Sequence, residues 1–455
     1  MREKLGSRLG FILLSAGCAI GIGNVWKFPY ITGQNGGGLF VLIYLFFLVV
    51  MGIPVMTMEF SLGRASQKSP VRLYSELEPQ GTKWHIHGYL SMIGNYLLMM
   101  FYTSVAGNMV AYFVSMAKGD FAGLDTSGIS NVYDNLLSDP VMLTIYMAIV
   151  VIVGFIVCSF SLQGGLERVT KGMMIALLAI MVVLAINSIS LEGGKEGLSF
   201  YLMPSLDKIK EVGLWNVIVA AMNQAFFTLS LGIGSMAIFG SYIGKERSLL
   251  GEAVNVAVLD TFVAIVSGLI VFPACFAYGV KPDSGPDLIF KTLPNIFNDM
   301  PLGRLWGSLF FVFMSFAALS TVLAVFENIV ACTRDLTGWS KKKACFINCI
   351  LMLILSMPCV LGTNILSFIK PFGGSSTILD LEDFIVSNIL LPLGSLTFII
   401  FCVNKRFGWG WKNFTEEANQ GKGLKVAGWM RGYMTYVLPL IVAAILVVGL
   451  VDKFI

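Results

Sequence analysis

Three carboxylates stand where an apolar chain tolerates them least. Glu59 ends one long charge-free stretch, Asp260 opens another, and Glu327 follows a third. An ionisable group at membrane depth is costly and by default marks an ion or substrate path. The stretches Gly17-Cys-Ala-Ile-Gly21-Ile-Gly23-Asn24 and Phe227-Thr-Leu-Ser-Leu-Gly232-Ile-Gly234-Ser each carry a Gly-Ile-Gly beside polar residues. Glycine weakens a helix, so unwinding at these points costs little. The half-helix ends so created offer N–H groups and a positive dipole to a carboxylate, and carbonyls to a hard cation. Asn24, Thr228, Ser230, Ser320 and Thr321 supply further oxygens. Such a site suits a small zwitterion bound together with Na⁺. A carboxylate such as Asp260 beside that ion gains Coulomb energy on the order of several kcal/mol at an effective dielectric near 20, which offsets its burial. Glu59 is suited to accept hydrogen bonds from freed N–H groups, and Glu327 to join a network near the inner face.

The elements that must hold these residues are membrane helices. Of the 455 residues, 56% are hydrophobic and 13% charged, against roughly 45–50% and about 25% in soluble proteins. That leaves too little polar surface for a soluble enzyme, a disordered chain or a nucleic-acid binder. A net charge of +4 implies no polyanionic partner. Eleven gaps free of Asp, Glu, Lys and Arg are long enough to span the hydrocarbon: 9–26, 28–58, 84–117, 140–166, 172–191, 212–244, 261–280, 305–326, 344–369, 384–404 and 432–451. All are apolar around the whole helix. No cleavable leader is evident. With the N-terminus in the cytoplasm, 21 of the 31 Lys and Arg face inward, and eleven spans then put the C-terminus outside. The stretch 283–301 is expected to form a short helical outer lid. The eight cysteines, in apolar stretches without a C-x-x-C pair, are expected to pack, and His85 and His87 to lie at a loop edge without a metal.

Glycines also let membrane helices pack closely. The matched position of the two Gly-Ile-Gly stretches, in spans one and six, favours instead an inverted repeat with a binding site at the midplane.

These residues resemble the neurotransmitter:sodium symporter family, the group with the LeuT-type fold, over essentially the whole chain. The motifs are Arg8-Leu-Gly … Gly21-Ile-Gly-Asn-Val-Trp-Lys-Phe-Pro-Tyr30, Asn35-Gly-Gly-Gly38, Gly52-Ile-Pro54 with Glu59, Gln224-Ala-Phe-Phe-Thr-Leu-Ser230 and Phe316-Ala-Ala-Leu-Ser-Thr321. The first alone is highly specific. Within the family the chain looks most like bacterial multi-hydrophobic amino-acid transporters. The resemblance implies an all-α integral membrane protein with 11 transmembrane helices in one domain. Its LeuT-type 5+5 inverted repeat has discontinuous helices 1 and 6. The first repeat covers about 8–190, the second about 213–404, and an additional helix about 431–453.

The resemblance also implies roles. A first Na⁺ site uses the Ala19 carbonyl, Asn24, Thr228 and Asp260 with the substrate carboxylate. A second uses the carbonyls of Gly17, Ile20 and Ala317 with Ser320 and Thr321. The substrate lies against Ala19, Gly21 and Gly23. Tyr102 donates to its carboxylate, Phe227 caps it, Thr228 and Ser230 sit beside it, and Leu98, Ile233 and Val325 form the apolar side. Glycine at 21, where amine-transporting relatives have Asp, leaves room for the carboxylate of an α-amino acid. Asp260, where chloride-dependent relatives are similar but carry Asn, replaces the anion. Lys27 and Asp383 form the outer gate, with Lys in place of the family's usual Arg; Lys lacks the bidentate fork. Arg2 and Asp335, supported by Ser241, Tyr242 and Glu327, form the inner gate. Leu5 stands where many relatives have Trp. Val182 stands where some have a Pro that lets helix five unwind from Gly172. The implied activity is Na⁺-coupled, chloride-independent import of hydrophobic or aromatic L-amino acids across the cell membrane, with two Na⁺, no organic cofactor and no nucleic acid. A substrate-binding sensor on this fold and a proton-coupled permease are the alternatives.

Overall fold

The computed structural model describes residues 3–205, 210–280 and 287–454. Among these, regular structure is helical, with two isolated bridges pairing Gly37 with Pro204 and Arg247 with Lys422. The chain begins with α1 (Arg8–Ala19) and α2 (Gly23–Gln34), two short helices bent by 58° across a break. Long helices follow: α3 (Gly38–Ser66), α4 (His85–Lys118), α5 (Pro140–Ser159) and α6 (Leu162–Ile189). A second interrupted pair comes next, α7 (Leu214–Thr228) and α8 (Ser235–Gly240). The further long helices are α9 (Leu249–Ala277), α10 (Gly303–Thr337), α11 (Lys341–Leu361), α12 (Ile378–Val403) and α13 (Met430–Val451), and shorter helices lie in the connections.

Nine of these helices are long and apolar enough to cross a membrane, and the bent α1–α2 pair makes a tenth. The sequence reading expects an eleventh at 212–244. There α7 has 15 residues and α8 has 6, each below the ~20 that the hydrocarbon requires.

Helix starts are written locally. Ser7, Asp139, Ser161 and Ser340 each cap a helix by accepting a backbone N–H from its first turn, and Thr377 with Asp380 forms a reciprocal capping box ahead of α12. At Asp139 the following Pro140 takes the first helical position, where a missing N–H costs nothing. The helices that carry the site, α1, α4, α9 and α10, are buried over much of their length, whereas α5, α6 and α13 show broad exposed apolar faces. The rings of Phe155 on α5 and Phe326 on α10 stack at 4.0 Å.

Of the expected lid at 283–301, Leu288–Asp299 is helical, and residues 283–286 lie outside the described set. Phe290 anchors it: its carbonyl accepts the Tyr112 hydroxyl at 2.9 Å, and its ring stacks on Tyr133 at 4.8 Å. All eight cysteines are free, and no group of three metal-ligating side chains occurs among the described residues. His85 pairs with Glu78 at 2.6 Å, and His87 packs edge-on to Tyr74.

Candidate functional site

Both helix breaks fall where the glycines are. In the first, Ile20 turns to φ −70°, ψ 101° after α1, and the chain resumes helical form at Gly23. In the second, Ser230, Gly232 and Gly234 adopt positive φ of 50°, 99° and 74°. Two of these three residues lack a Cβ, which makes the left-handed conformation cheap there. Glu59 on α3 reaches the second break, where its Oε1 accepts the Gly232 N–H at 2.6 Å. This satisfies a donor that unwinding leaves without a helical partner.

Three of the residues expected at the first Na⁺ site meet between the breaks. Asn24 donates from Nδ2 to Asp260 Oδ1 at 2.8 Å, and the Thr228 hydroxyl donates to Asp260 Oδ2 at 3.1 Å. The Asn24 Oδ1 accepts the Gly21 N–H at 3.2 Å, closing the loop of the first break. Asp260 is fully buried, so among the described residues its carboxylate has these two donors in place of water.

The oxygens expected at the second site also converge. The Ser320 hydroxyl lies 3.3 Å from the Ile20 carbonyl and 2.9 Å from that of Ala317, and the Thr321 hydroxyl lies 3.4 Å from the Gly17 carbonyl and 3.3 Å from that of Ile20. Two hydroxyls have two protons to donate among these carbonyls, so the cluster is rich in lone pairs. That is the donor set a hard monovalent cation takes.

Beside both clusters lies a cavity of about 20 Å³ lined by Ala19, Gly21, Gly23, Leu98, Tyr102, Phe227, Thr228, Ser230, Thr321 and Leu391. Its volume admits about one water, so the walls are drawn together. Tyr102 Oη accepts the Ile22 N–H at 3.0 Å. Room for that hydroxyl depends on Gly21, because a Cβ there would lie 2.3 Å from Tyr102 Oη and 2.6 Å from Thr321 Oγ1. Two expected lining residues are absent. Ile233 packs its Cγ2 toward Gly94 and lies outside the cavity. Val325 is fully buried on α10, one helical turn beyond Thr321. Leu391 and Thr321 complete the wall. The approach of Leu391 follows from α12 packing backbone to backbone on the second break, which no local pattern encodes.

A profile of the sodium:neurotransmitter symporter family matches residues 2–125 and 126–454. The chain belongs to this family. It is 33% identical to the uncharacterized sodium-dependent transporter YhdH of Bacillus subtilis, over 87% of this chain and 86% of that one. It is 30% identical to an uncharacterized sodium-dependent transporter of Haemophilus influenzae, over 99% and 98% of the two chains. Among solved structures it is similar to MhsT in complex with L-phenylalanine, with a TM-score of 0.87 and 34% identity over 99% of this chain and 100% of that one. The fold is therefore the LeuT-type fold, and the protein is a multi-pass membrane transporter of a family that co-transports sodium.

The residues expected at the gates are arranged unevenly. Lys27 and Asp383, expected as a pair, form no ion pair. Lys27 Nζ sits 4.0 Å above the Phe227 ring, and Asp383 accepts the Ser387 hydroxyl at 2.7 Å. The ammonium is a compact charge on a flexible stem, and the aromatic face that caps the site competes for it. At the end of the bundle that carries the N-terminus, the Tyr242 hydroxyl donates to Glu327 at 2.9 Å, and Lys341 lies 3.3 Å from the other Glu327 oxygen. Asp335 accepts the Ser69 N–H at 2.8 Å; Arg2, its expected partner, lies outside the described residues. Ser241 stays out of this network and donates to the Ile238 carbonyl.

Two acids missed in the sequence hold the N-terminal segment just after Leu5. Glu167, the sixth residue of α6, accepts the Gly6 N–H at 2.8 Å and the Ser7 hydroxyl at 3.0 Å. Glu252, in the first turn of α9, pairs with Arg8 at 2.9 Å. For Glu252 the available signal was an acidic residue in the first turn of a helix, whereas Glu167 gave no local signal.

Proposed function

We propose that this protein is a symporter in which two Na⁺ ions drive import of a hydrophobic or aromatic L-amino acid, without a requirement for Cl⁻. It uses eleven spans arranged as a 5+5 inverted repeat in one domain, with α1–α2 and α7–α8 as the discontinuous spans. The N-terminus is cytoplasmic and the C-terminus extracellular. The observation that carries this reading is the buried Asp260 carboxylate, held by Asn24 and Thr228 beside the Gly21 break. A fixed negative charge there serves a cation directly and replaces an anion. The Ala19 carbonyl, Asn24, Thr228 and Asp260 are assigned to one ion. Gly17, Ile20, Ala317, Ser320 and Thr321 are assigned to the other. The amino acid takes the space between Tyr102, Phe227 and Ser230.

The absence of an acid at Gly21 supports an amino acid over an amine, because the ligand brings its own carboxylate. The apolar walls Leu98 and Leu391, and the phenylalanine bound by MhsT, support an apolar side chain. The membrane potential adds about 2.3 kcal/mol per charge per 100 mV to the drive.

The test is uptake of labelled L-phenylalanine into proteoliposomes under an inward Na⁺ gradient. Uptake should collapse in choline or Li⁺ and persist when gluconate replaces Cl⁻. Binding without uptake would instead identify a sensor, and uptake indifferent to Na⁺ but driven by a pH gradient a proton-coupled permease.

A further inference from the structure

The second helix break is held from two sides, and only one of them belongs to the family pattern described above. The chain from Leu229 to Gly234 has left the helix, so the carbonyl of Ile233 has no helical donor at a depth where water is scarce. Asn95 on α4 supplies one: its Nδ2 donates to the Ile233 carbonyl at 2.9 Å. The same amide nitrogen donates its second proton to the Ser91 carbonyl at 2.7 Å, one turn back on α4. The Asn95 Oδ1 in turn accepts the Asn328 Nδ2 from α10 at 3.0 Å. The orientation of the Asn95 amide is thereby fixed, since reversing it would set its oxygen against two carbonyls and its nitrogen against a donor. Asn95 is 1% exposed and Asn328 fully buried, so neither amide has a water alternative.

The residue before Asn95 completes the arrangement. Gly94 leaves the space that the Ile233 side chain fills: a Cβ at position 94 would lie 3.0 Å from Ile233 Cγ2 and 3.5 Å from Leu390 Cδ1. Consecutive residues of α4 thus receive the side chain and the carbonyl of one residue of the break. Glu59 holds the N–H of the preceding residue, Gly232.

We propose that Gly94 and Asn95, with Asn328 behind them, form a socket for Ile233 that positions the unwound segment of the second break and so sets the shape of the substrate cavity. Asn95 and Asn328 are positioning residues; neither lines the cavity. The socket explains why Ile233 is withdrawn from the cavity wall while Ser230, three residues earlier, contributes to it. It also ties the break to α4 and α10, the two helices that supply Tyr102 and Thr321 to the same cavity. As a statement about substrate affinity, the inference rests on the function proposed above; as a statement about the break, it does not.

The experiment uses the full-length protein in lipid nanodiscs and compares wild type with Asn95→Ala, Asn328→Ala and the double variant. Two quantities are read: hydrogen–deuterium exchange of the amides in 229–236, and L-phenylalanine binding at saturating Na⁺. Asn95→Ala should speed exchange in 229–236 at least tenfold, leave the first break at 20–23 unchanged, and weaken phenylalanine binding by about tenfold. Asn328→Ala should move both quantities in the same direction, and the double variant should be no worse than Asn95→Ala alone, because the two amides act as one unit. If Asn95→Ala does not yield folded protein, Asn328→Ala carries both readouts with Asn95 in place. Wild-type exchange rates in folded Asn95→Ala or Asn328→Ala protein, or losses that add in the double variant, would overturn the socket. If wild-type protein binds no amino acid in Na⁺, the proposed function fails, and the exchange comparison still decides the socket.

Discussion

Glu59 Oε1 lies 2.6 Å from the backbone nitrogen of Gly232, joining two residues 173 positions apart across α3 and the second helix break. The contact accounts for a fully buried acid that has no salt-bridge partner among the described residues. A buried donor left without its acceptor costs about 1–3 kcal/mol, more when a charged group was involved. Glu59→Ala should therefore lower thermal stability and abolish Na⁺-dependent binding, whereas Glu59→Gln, which keeps an acceptor oxygen, should retain a measurable fraction of both. Equal loss in the two variants, in a thermal-shift and binding comparison, would assign the effect to charge and remove the hydrogen bond from the explanation.

Asp260→Asn removes the negative charge but keeps a hydrogen-bonding side chain beside Asn24 and Thr228. The half-saturating Na⁺ concentration should rise at least tenfold, equivalent to about 1.4 kcal/mol, and Cl⁻ should then stimulate binding that was indifferent to it. Binding measured across Na⁺ concentrations in chloride and in gluconate tests both. An unchanged Na⁺ dependence would take Asp260 out of the ion site.

Gly21→Ala places a methyl 2.3 Å from Tyr102 Oη and 2.6 Å from Thr321 Oγ1. Neither neighbour is a free chain end: Tyr102 holds the Ile22 N–H, and Thr321 sits among the α1 carbonyls. Substrate binding should fall by about a hundredfold or more while the protein still folds. Tyr102→Phe in the same background should restore part of the thermal stability by removing the clashing hydroxyl, without restoring binding, because that hydroxyl is assigned to the substrate carboxylate. No restoration of stability would mean that the methyl acts elsewhere.

Arg64 is a buried cation at the end of α3, 1% exposed, and its Nε lies 2.6 Å from Glu417 Oε1. It also donates to the Arg247 carbonyl at 2.7 Å, so one guanidinium ties the loop after α8 to the helix Trp411–Ala418. Arg64→Ala leaves Glu417 with the Lys245 ammonium at 3.8 Å and the Gln420 amide at 3.1 Å and should cost toward the lower end of about 3–5 kcal/mol. The double variant Arg64→Ala/Glu417→Ala should be less damaged than the sum of the single variants. Thermal unfolding in detergent measures the difference, and strict additivity would show that the pair is not coupled.

The membrane class, nearly all the spans and the place of both breaks were legible in the sequence because each depends on a local quantity. Charge-free length sets a span, and Gly-Ile-Gly beside Asn24 or Ser230 sets where a helix is weak. The resemblance pointed to Asn24 and Thr228, which the fold brings within hydrogen-bonding reach of Asp260, and to Ser320 and Thr321, which it brings within reach of the carbonyls around the first break. Only the tertiary structure decided what faces what across helices. Lys27 turned to the Phe227 ring and away from Asp383, Ile233 withdrew into the space at Gly94, and Leu391 took a place in the cavity wall. Glu167 and Glu252 took over the N-terminal segment, and Asn95 found the Ile233 carbonyl. Each of these depends on a partner more than a hundred residues away, or on a backbone approach of a few ångströms. The composition and periodicity of one helix contain no information about either.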